Sequence, residues 1–164
     1  MATENAQHDA PNIGTESHKL EVFVGGALIY TTREPSTVFD GKPIRDAEDA
    51  SPHFASIQAM PQEVFAVMSL NGANEPIKTR WVTVGLLDCN QVHPREVFAD
   101  PLMDRAASII VAHNHPSGTL EPSPEDLAIT KRLQKAGEVL GIKVLDHLII
   151  TTTGLISLKQ KGHM

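Results

Sequence analysis

The sequence predicts a mixed α/β domain built with hairpins, and three observations carry that expectation. Ala106–Ala112 (AASIIVA) is a short apolar run with the length of a buried strand. Ile129, Leu133, Ala136 and Leu140 recur at helical spacing, along a segment that opens on Ser123-Pro124 and stops at Gly141. β-prone runs flank turn residues at Gly25-Gly26 and again at Asn71-Gly72.

Met1–Lys19 is polar, holds Pro11 and Gly14, and reads as a flexible leader; residues 20–164 read as a single domain. Leu20–Thr32 (LEVFVGGALIYTT) is the first hairpin. Arg33–Ile44, with Pro35, Gly41 and Pro43, is a loop. Arg45–Met60 has helical character that starts afresh at the cap-and-proline pair Ser51-Pro52, and Pro61 ends it. Glu63–Leu70 (EVFAVMSL) is a buried strand, Asn71-Gly72 a turn, and Ile77–Leu87 the returning strand. Between His93 and Arg105, Pro94 and Pro101 predict a short helix, a break at Asp100-Pro101 and one more helical turn. Ala106–His115 is a strand, Pro124–Leu140 an amphipathic helix, Ile142–Thr152 a strand, and Gly154–Ser157 a last turn and strand.

The chemistry concentrates in His113–Asp126, HNHPSGTLEPSPED. Side chains alternate along a strand, so His113 and His115 share a face and Asn114 takes the other. Two imidazoles so placed can grip one metal ion. Ser123, Pro124 and Asp126 fit the cap, first position and third position of a helix start. The turn through Pro116 and Gly118 can fold Asp126 back onto the histidines. Three protein ligands leave a fourth tetrahedral position for water, as in catalytic zinc sites, whereas structural sites are closed by four. Taken singly, H-x-H and S-x-x-D are weak signals; separated by a Pro/Gly turn, they are specific. Other H-x-H chemistries fail on this chain. Cys89 is the only cysteine, so the P-C-x-x-C partner of nucleobase deaminases is absent. A barrel hydrolase needs about 250 residues, and no H-E-x-x-H is present.

His113-Asn114-His115 with Ser123 and Asp126 resembles the H-x-H…S-x-x-D signature of the JAB/MPN (JAMM) metalloproteases. HNHPSG…PSPEDL, preceded by VHPREVF and followed by VLDHLII, is similar to the RadC branch, over roughly Ala47 to Gly162. The resemblance implies a curved mixed β-sheet flanked by helices, a cytidine-deaminase-like core to which the N-terminal hairpin is an addition or a swapped-out strand. It implies a zinc-dependent peptidase or isopeptidase with a glutamate general base near the start of an upstream strand. Glu63, opening EVFAVMSL, matches that place. Glu96 in HPREVF is its main rival, or else a helix-start carboxylate stabilised by the dipole. Glu121 lies in the ligand turn, and Glu125, next to a ligand on a helix, is expected to face away. The resemblance gives Ser123 a second role, as hydrogen-bond donor to the oxyanion of a tetrahedral intermediate; on physics alone it is a cap.

Other polar residues read more plainly. Asn114 is structural. Asp146 and His147 sit in an apolar strand and need partners; a satisfied core pair is the preferred reading, support of the metal site the alternative. His93 is a structural or solvated loop residue. His8, His18, His53 and His163 have no partner at ligand spacing, and Cys89 reads as a small core residue.

Composition narrows the classes. Hydrophobic residues make up 41% and charged residues 21%, ordinary for a soluble domain. No apolar run nears the roughly 18 residues of a membrane span. A single cysteine fits a reducing cytoplasm. The net charge of -6 argues against nonspecific nucleic-acid binding. The RadC resemblance also implies the second functional reading, a nonhydrolytic zinc-stabilised module associated with DNA repair or recombination, which this acidic charge disfavours. Neither the substrate nor the oligomeric state is legible.

Overall fold

The computed structural model describes residues 19–24, 27–32, 41–85 and 92–164. The expected leader through His18, most of the Arg33–Ile44 loop, and Cys89 lie outside them. β1 (Lys19–Val24) and β2 (Ala27–Thr32) form the expected antiparallel hairpin about Gly25-Gly26. α1 (Ala47–Ala50) runs through a 3-10 turn over Ser51–Phe54 into α2 (Ala55–Gln58), so the helical segment does restart at Ser51-Pro52.

The main sheet contains β3 (Val64–Leu70), β4 (Pro76–Val84), β5 (Ser108–Asn114), β6 (Lys143–Thr151) and β7 (Gly154–Ser157). Its spatial order is β4-β3-β5-β6-β7. Only β5 and β6 run parallel; the other neighbours are antiparallel. A parallel pair needs a crossover long enough to return the chain to the same end. That crossover is α4 (Pro124–Leu140), and α3 (Pro94–Met103) precedes β5. The class is therefore mixed α/β, a five-stranded mixed sheet flanked by helices.

β3 and β5 are central and buried along their whole length, which is why both read as continuous apolar runs rather than alternating ones. On one face Val64, Ala66, Met68, Ile110 and Ala112 pack against Phe54 and Ile57 of the α1–α2 segment. On the other Phe65, Val67, Ile109 and Val111 pack against Val97 and Phe98 of α3 and Ile129 and Leu133 of α4. His113 continues the second series, so it faces the helix that carries Asp126.

α3 corrects an expectation. Pro101 does not break it; the helix runs on to Met103 with Pro101 buried inside it. Pro101 falls in the last turn, so the missing N–H removes a single helical bond, and burying its ring against the core offsets that loss. α4 corrects another: Ile129 and Leu133 are buried, but Leu140, the last member of the predicted stripe, is 42% exposed. Gly137 replaces it on the buried face, where the chain doubles back after Gly141 and the Ile142 N–H bonds the Gly137 carbonyl at 2.9 Å. A methyl group at Gly137 would penetrate the Ile142 carbonyl oxygen and press on Phe98. Gly137→Ala is thus expected to cost about 1–3 kcal/mol despite alanine's better helix propensity. Urea melts would show a lower midpoint at unchanged m; equal or greater stability would mean that the Ile142 backbone can move aside.

Candidate metal centre

The site lies where β5 ends and α4 begins. Because β5 alternates, His113 and His115 emerge on one face, and the His115 N–H extends the ladder by bonding the Ile150 carbonyl at 3.0 Å. The turn that follows closes when the Gly118 N–H bonds the His115 carbonyl at 3.0 Å, with Gly118 at φ +80. That left-handed conformation suits glycine and directs the chain toward α4.

α4 opens on a capping box. The Ser123 hydroxyl accepts from the Asp126 N–H at 3.1 Å, and Asp126 Oδ2 accepts from the Ser123 N–H at 2.8 Å. The box orients the Asp126 carboxylate, with Oδ1 turned to His113 and Oδ2 beside His115. His113 Nε2 lies 3.2 Å from Asp126 Oδ1, His115 Nε2 lies 3.5 Å from Oδ2, and the two imidazole Nε2 atoms are 2.9 Å apart. One ligand atom from each of the three residues falls within 4.8 Å of the others. A tetrahedral ion with bonds of about 2.0–2.2 Å separates its ligand atoms by roughly 3.3–3.6 Å. The trio is near that spacing, and two imidazoles with a carboxylate form a donor set suited to a divalent transition metal. His113, His115 and Asp126 can therefore hold a metal.

The electrostatics match. Burial alone would raise the Asp126 carboxyl; hydrogen bonds to His113 and His115 and the nearby imidazole charge outweigh it and hold the group well below the ordinary carboxylate range. Asp126 is thus a carboxylate ready to ligate. The bond to Asp126 raises His115 above the usual imidazole value, against the effect of burial. His115 Nδ1 also meets the Thr119 carbonyl at 2.6 Å.

A cleft of ≈ 360 Å³ opens over the trio, lined by Glu63, His115, Ser117, Thr119, Glu121, Ser123, Glu125 and Asp126. Glu63, Ser123 and two of the predicted ligands thus meet in one depression. Glu63 is near enough for its charge to act on His115. Glu96 is elsewhere: it lies in the first turn of α3, is exposed, and pairs with Arg95 at 2.9 Å. Glu121 lines the cleft. So does Glu125, which is not among the grouped ligand residues.

The Glu63 segment is held in place by Asn114, fully buried on the opposite face of β5. Its Oδ1 accepts from the Val64 N–H at 2.7 Å, and its Nδ2 donates to the carbonyls of Met60 and Gln62 at 3.1 Å each. Asn114 is structural, as expected, and its particular task is to tie the chain on both sides of Glu63 to the strand between the histidines. Asn114→Leu would leave the Val64 N–H and two carbonyls unpaired, at an expected cost of roughly 2–3 kcal/mol. Chemical denaturation would show it; a loss within 0.5 kcal/mol would mean that water replaces the amide.

His147 follows the alternative reading, contact with the candidate site, rather than the preferred one. Asp146 and His147 do not form a core pair: Asp146 accepts from Ser157 Oγ at 2.6 Å and from the backbone N–H groups of His147 and Lys159, tying down the turn after β7. His147, fully buried, instead lies 2.8 Å from His113 Nδ1. A register shift in the β5–β6 ladder between Ile109 and Ile110 changes the phase of β6. Val144 packs on the α3–α4 face and Leu145 on the other, so strict alternation would send His147 away from His113. His93 caps α3, its Nδ1 accepting from the Arg95 N–H at 3.2 Å, in keeping with its structural reading.

Comparison with known proteins agrees with this architecture. A family model described as "RadC-like JAB domain" matches residues 44–163. A UPF0758 protein of Methanospirillum hungatei is 56% identical over 103 residues, 63% of this chain and 46% of that protein. One from Shouchella clausii is 45% identical over 120 residues, 73% of this chain and 52% of that protein. One from Bacillus cereus strain B4264 is 45% identical over 122 residues, 74% and 54% respectively. The chain spans about half the length of the curated relatives it matches. With the matched region covering the whole five-stranded sheet and the His113, His115 and Asp126 cluster, the chain belongs to the RadC-like JAB domain family.

Proposed function

We propose that this chain is a zinc-dependent metallohydrolase acting on peptide or isopeptide bonds. The observation that carries the proposal is the meeting of His113, His115 and Asp126 with Glu63 and Ser123 around one cleft. The trio would hold the zinc. Bound there, zinc supplies a Lewis acid that polarises a carbonyl and brings the pKa of water toward neutrality. Glu63 takes the proton of the attacking water and returns it to the leaving amine, one carboxylate serving both transfers. Ser123 gives the oxyanion a hydrogen bond. Its cap role does not compete, because accepting from the Asp126 N–H leaves the hydroxyl proton to donate, so the two tasks need not alternate. The JAB family membership supports the reading, as does the count of donors: among the described residues the group has three members, the number expected of a reactive zinc site rather than a closed structural one.

The same reading takes the cytoplasm as the working compartment, from the single cysteine. Among the described residues, no helix is long and apolar enough to cross a membrane. The test is hydrolysis of a panel of peptides and lysine-isopeptide conjugates by the zinc-loaded chain. Cleavage that stops with a chelator and returns with zinc is expected. Stoichiometric zinc with no cleavage of any member would favour the nonhydrolytic module.

A further inference from the structure

We propose that His147 and Thr130 are positioning residues that hold His113 in the tautomer presenting its Nε2 lone pair to His115 and Asp126. The inference rests on the metal-binding part of the reading above and is independent of the reaction catalysed.

The assignment follows from counting protons. Thr130 has one hydroxyl proton and two close partners, the Asp126 carbonyl at 2.6 Å and His147 Nδ1 at 2.6 Å. A carbonyl oxygen only accepts, so Thr130 donates to it, the i−4 bond natural to a threonine within a helix. Thr130 Oγ1 must then accept from His147, which puts the proton of His147 on Nδ1. His147 is completely buried and its two ring nitrogens face Thr130 and His113 rather than a carboxylate, so it holds a single ring proton and its Nε2 carries a lone pair. That lone pair accepts from His113 Nδ1 at 2.8 Å. An imidazole that ligates a metal keeps one N–H, so with metal bound His113 would hold its proton on Nδ1 and present the Nε2 lone pair on the side of Asp126 Oδ1, 3.2 Å away.

The chain of bonds starts and ends beside the same residue. It leaves the Asp126 backbone carbonyl and passes through Thr130 and His147 to His113, whose Nε2 lies beside the Asp126 carboxylate. Strand β6, which supplies none of the three donors, is thereby linked through His147 to both β5 and α4. Phe65 seals the group, parallel to the His113 ring at 6.2 Å and edge-on to His147 at 5.5 Å. His115 is fixed separately by the Thr119 carbonyl.

Zinc affinity of the full chain, measured by competition with a chromophoric chelator, tests the relay without any substrate. His147→Leu and Thr130→Val are expected to weaken zinc about 10- to 100-fold, the usual effect of losing a partner behind a ligand. His147→Gln and Thr130→Ser are expected to recover most of the affinity, because a glutamine amide can accept from His113 and donate to Thr130. Histidine 15N spectra of the zinc-loaded parent should show His113 bound through Nε2 with a slowly exchanging Nδ1–H. Should His147→Leu fail to fold, the near-isosteric Thr130→Val and the spectra still decide. His113 bound through Nδ1, or leucine and valine variants holding zinc as tightly as the parent, would overturn the relay. So would a parent that does not bind zinc, which sinks the metal reading with it. Absent hydrolysis with the expected affinity pattern would count against the proposed reaction alone.

Discussion

Asp126→Asn is expected to abolish stable zinc retention. Asp126 supplies the only anionic donor of the trio, and its carboxylate is held charged by the two imidazoles and oriented by the capping box. Asparagine keeps an oxygen that can accept from the Ser123 N–H, so the start of α4 survives while the charge is lost. The loss in affinity should exceed the roughly 10- to 100-fold typical of an outer partner. Asp126→Ala removes the cap acceptor as well, adding about 1 kcal/mol of instability in the metal-free form. Metal content after dialysis, with circular dichroism of each variant, separates the two effects. An asparagine variant retaining one zinc per chain at parental affinity would remove Asp126 from the ligand set.

Glu63→Gln should leave zinc binding intact and lower kcat by about 100- to 10,000-fold, the range for losing a general base. Glu63 sits one residue before β3, in a segment that Asn114 clamps on both sides, and it faces the cleft beside His115. Glutamine preserves shape and hydrogen bonding but cannot take a proton. Glu96→Gln, removing a carboxylate paired with Arg95 at the surface, should change little. If Glu63→Gln turns over normally with zinc bound, the base lies elsewhere, and Glu121 in the same cleft becomes the next residue to replace. The readout is steady-state hydrolysis of whichever substrate the zinc-loaded parent cleaves, with metal content measured in parallel.

Much of this site is legible in the sequence because its signals are local. The H-x-H phase needs only the alternation of a strand, and the placement of Ser123, Pro124 and Asp126 needs only the grammar of a helix start. The two central strands announce themselves because burial on both faces removes polar residues from them. Gly141 marks its helix end through its left-handed conformation, φ 71. What stayed hidden depends on contacts between distant segments. His147 reaches His113 only because the β5–β6 ladder shifts register, and no periodicity in Ile142–Thr152 reports that shift. The Asn114 clamp joins residues some fifty positions apart, and a lone asparagine between two histidines gives no hint of it. Pro101 is tolerated in α3 because it falls in the last turn and is buried, and both facts depend on the fold. Leu140 matched the helical stripe in sequence yet lies exposed at the helix end, while Gly137 occupies the crowded position.

A crystal structure of the zinc-loaded chain, with anomalous differences collected at the zinc edge, tests the central claim most directly. It should show one peak about 2.0–2.2 Å from His113 Nε2, His115 Nε2 and a carboxylate oxygen of Asp126, with the remaining position open toward Glu63. A fourth protein side chain closing the coordination, or a zinc peak away from these three residues, would contradict it.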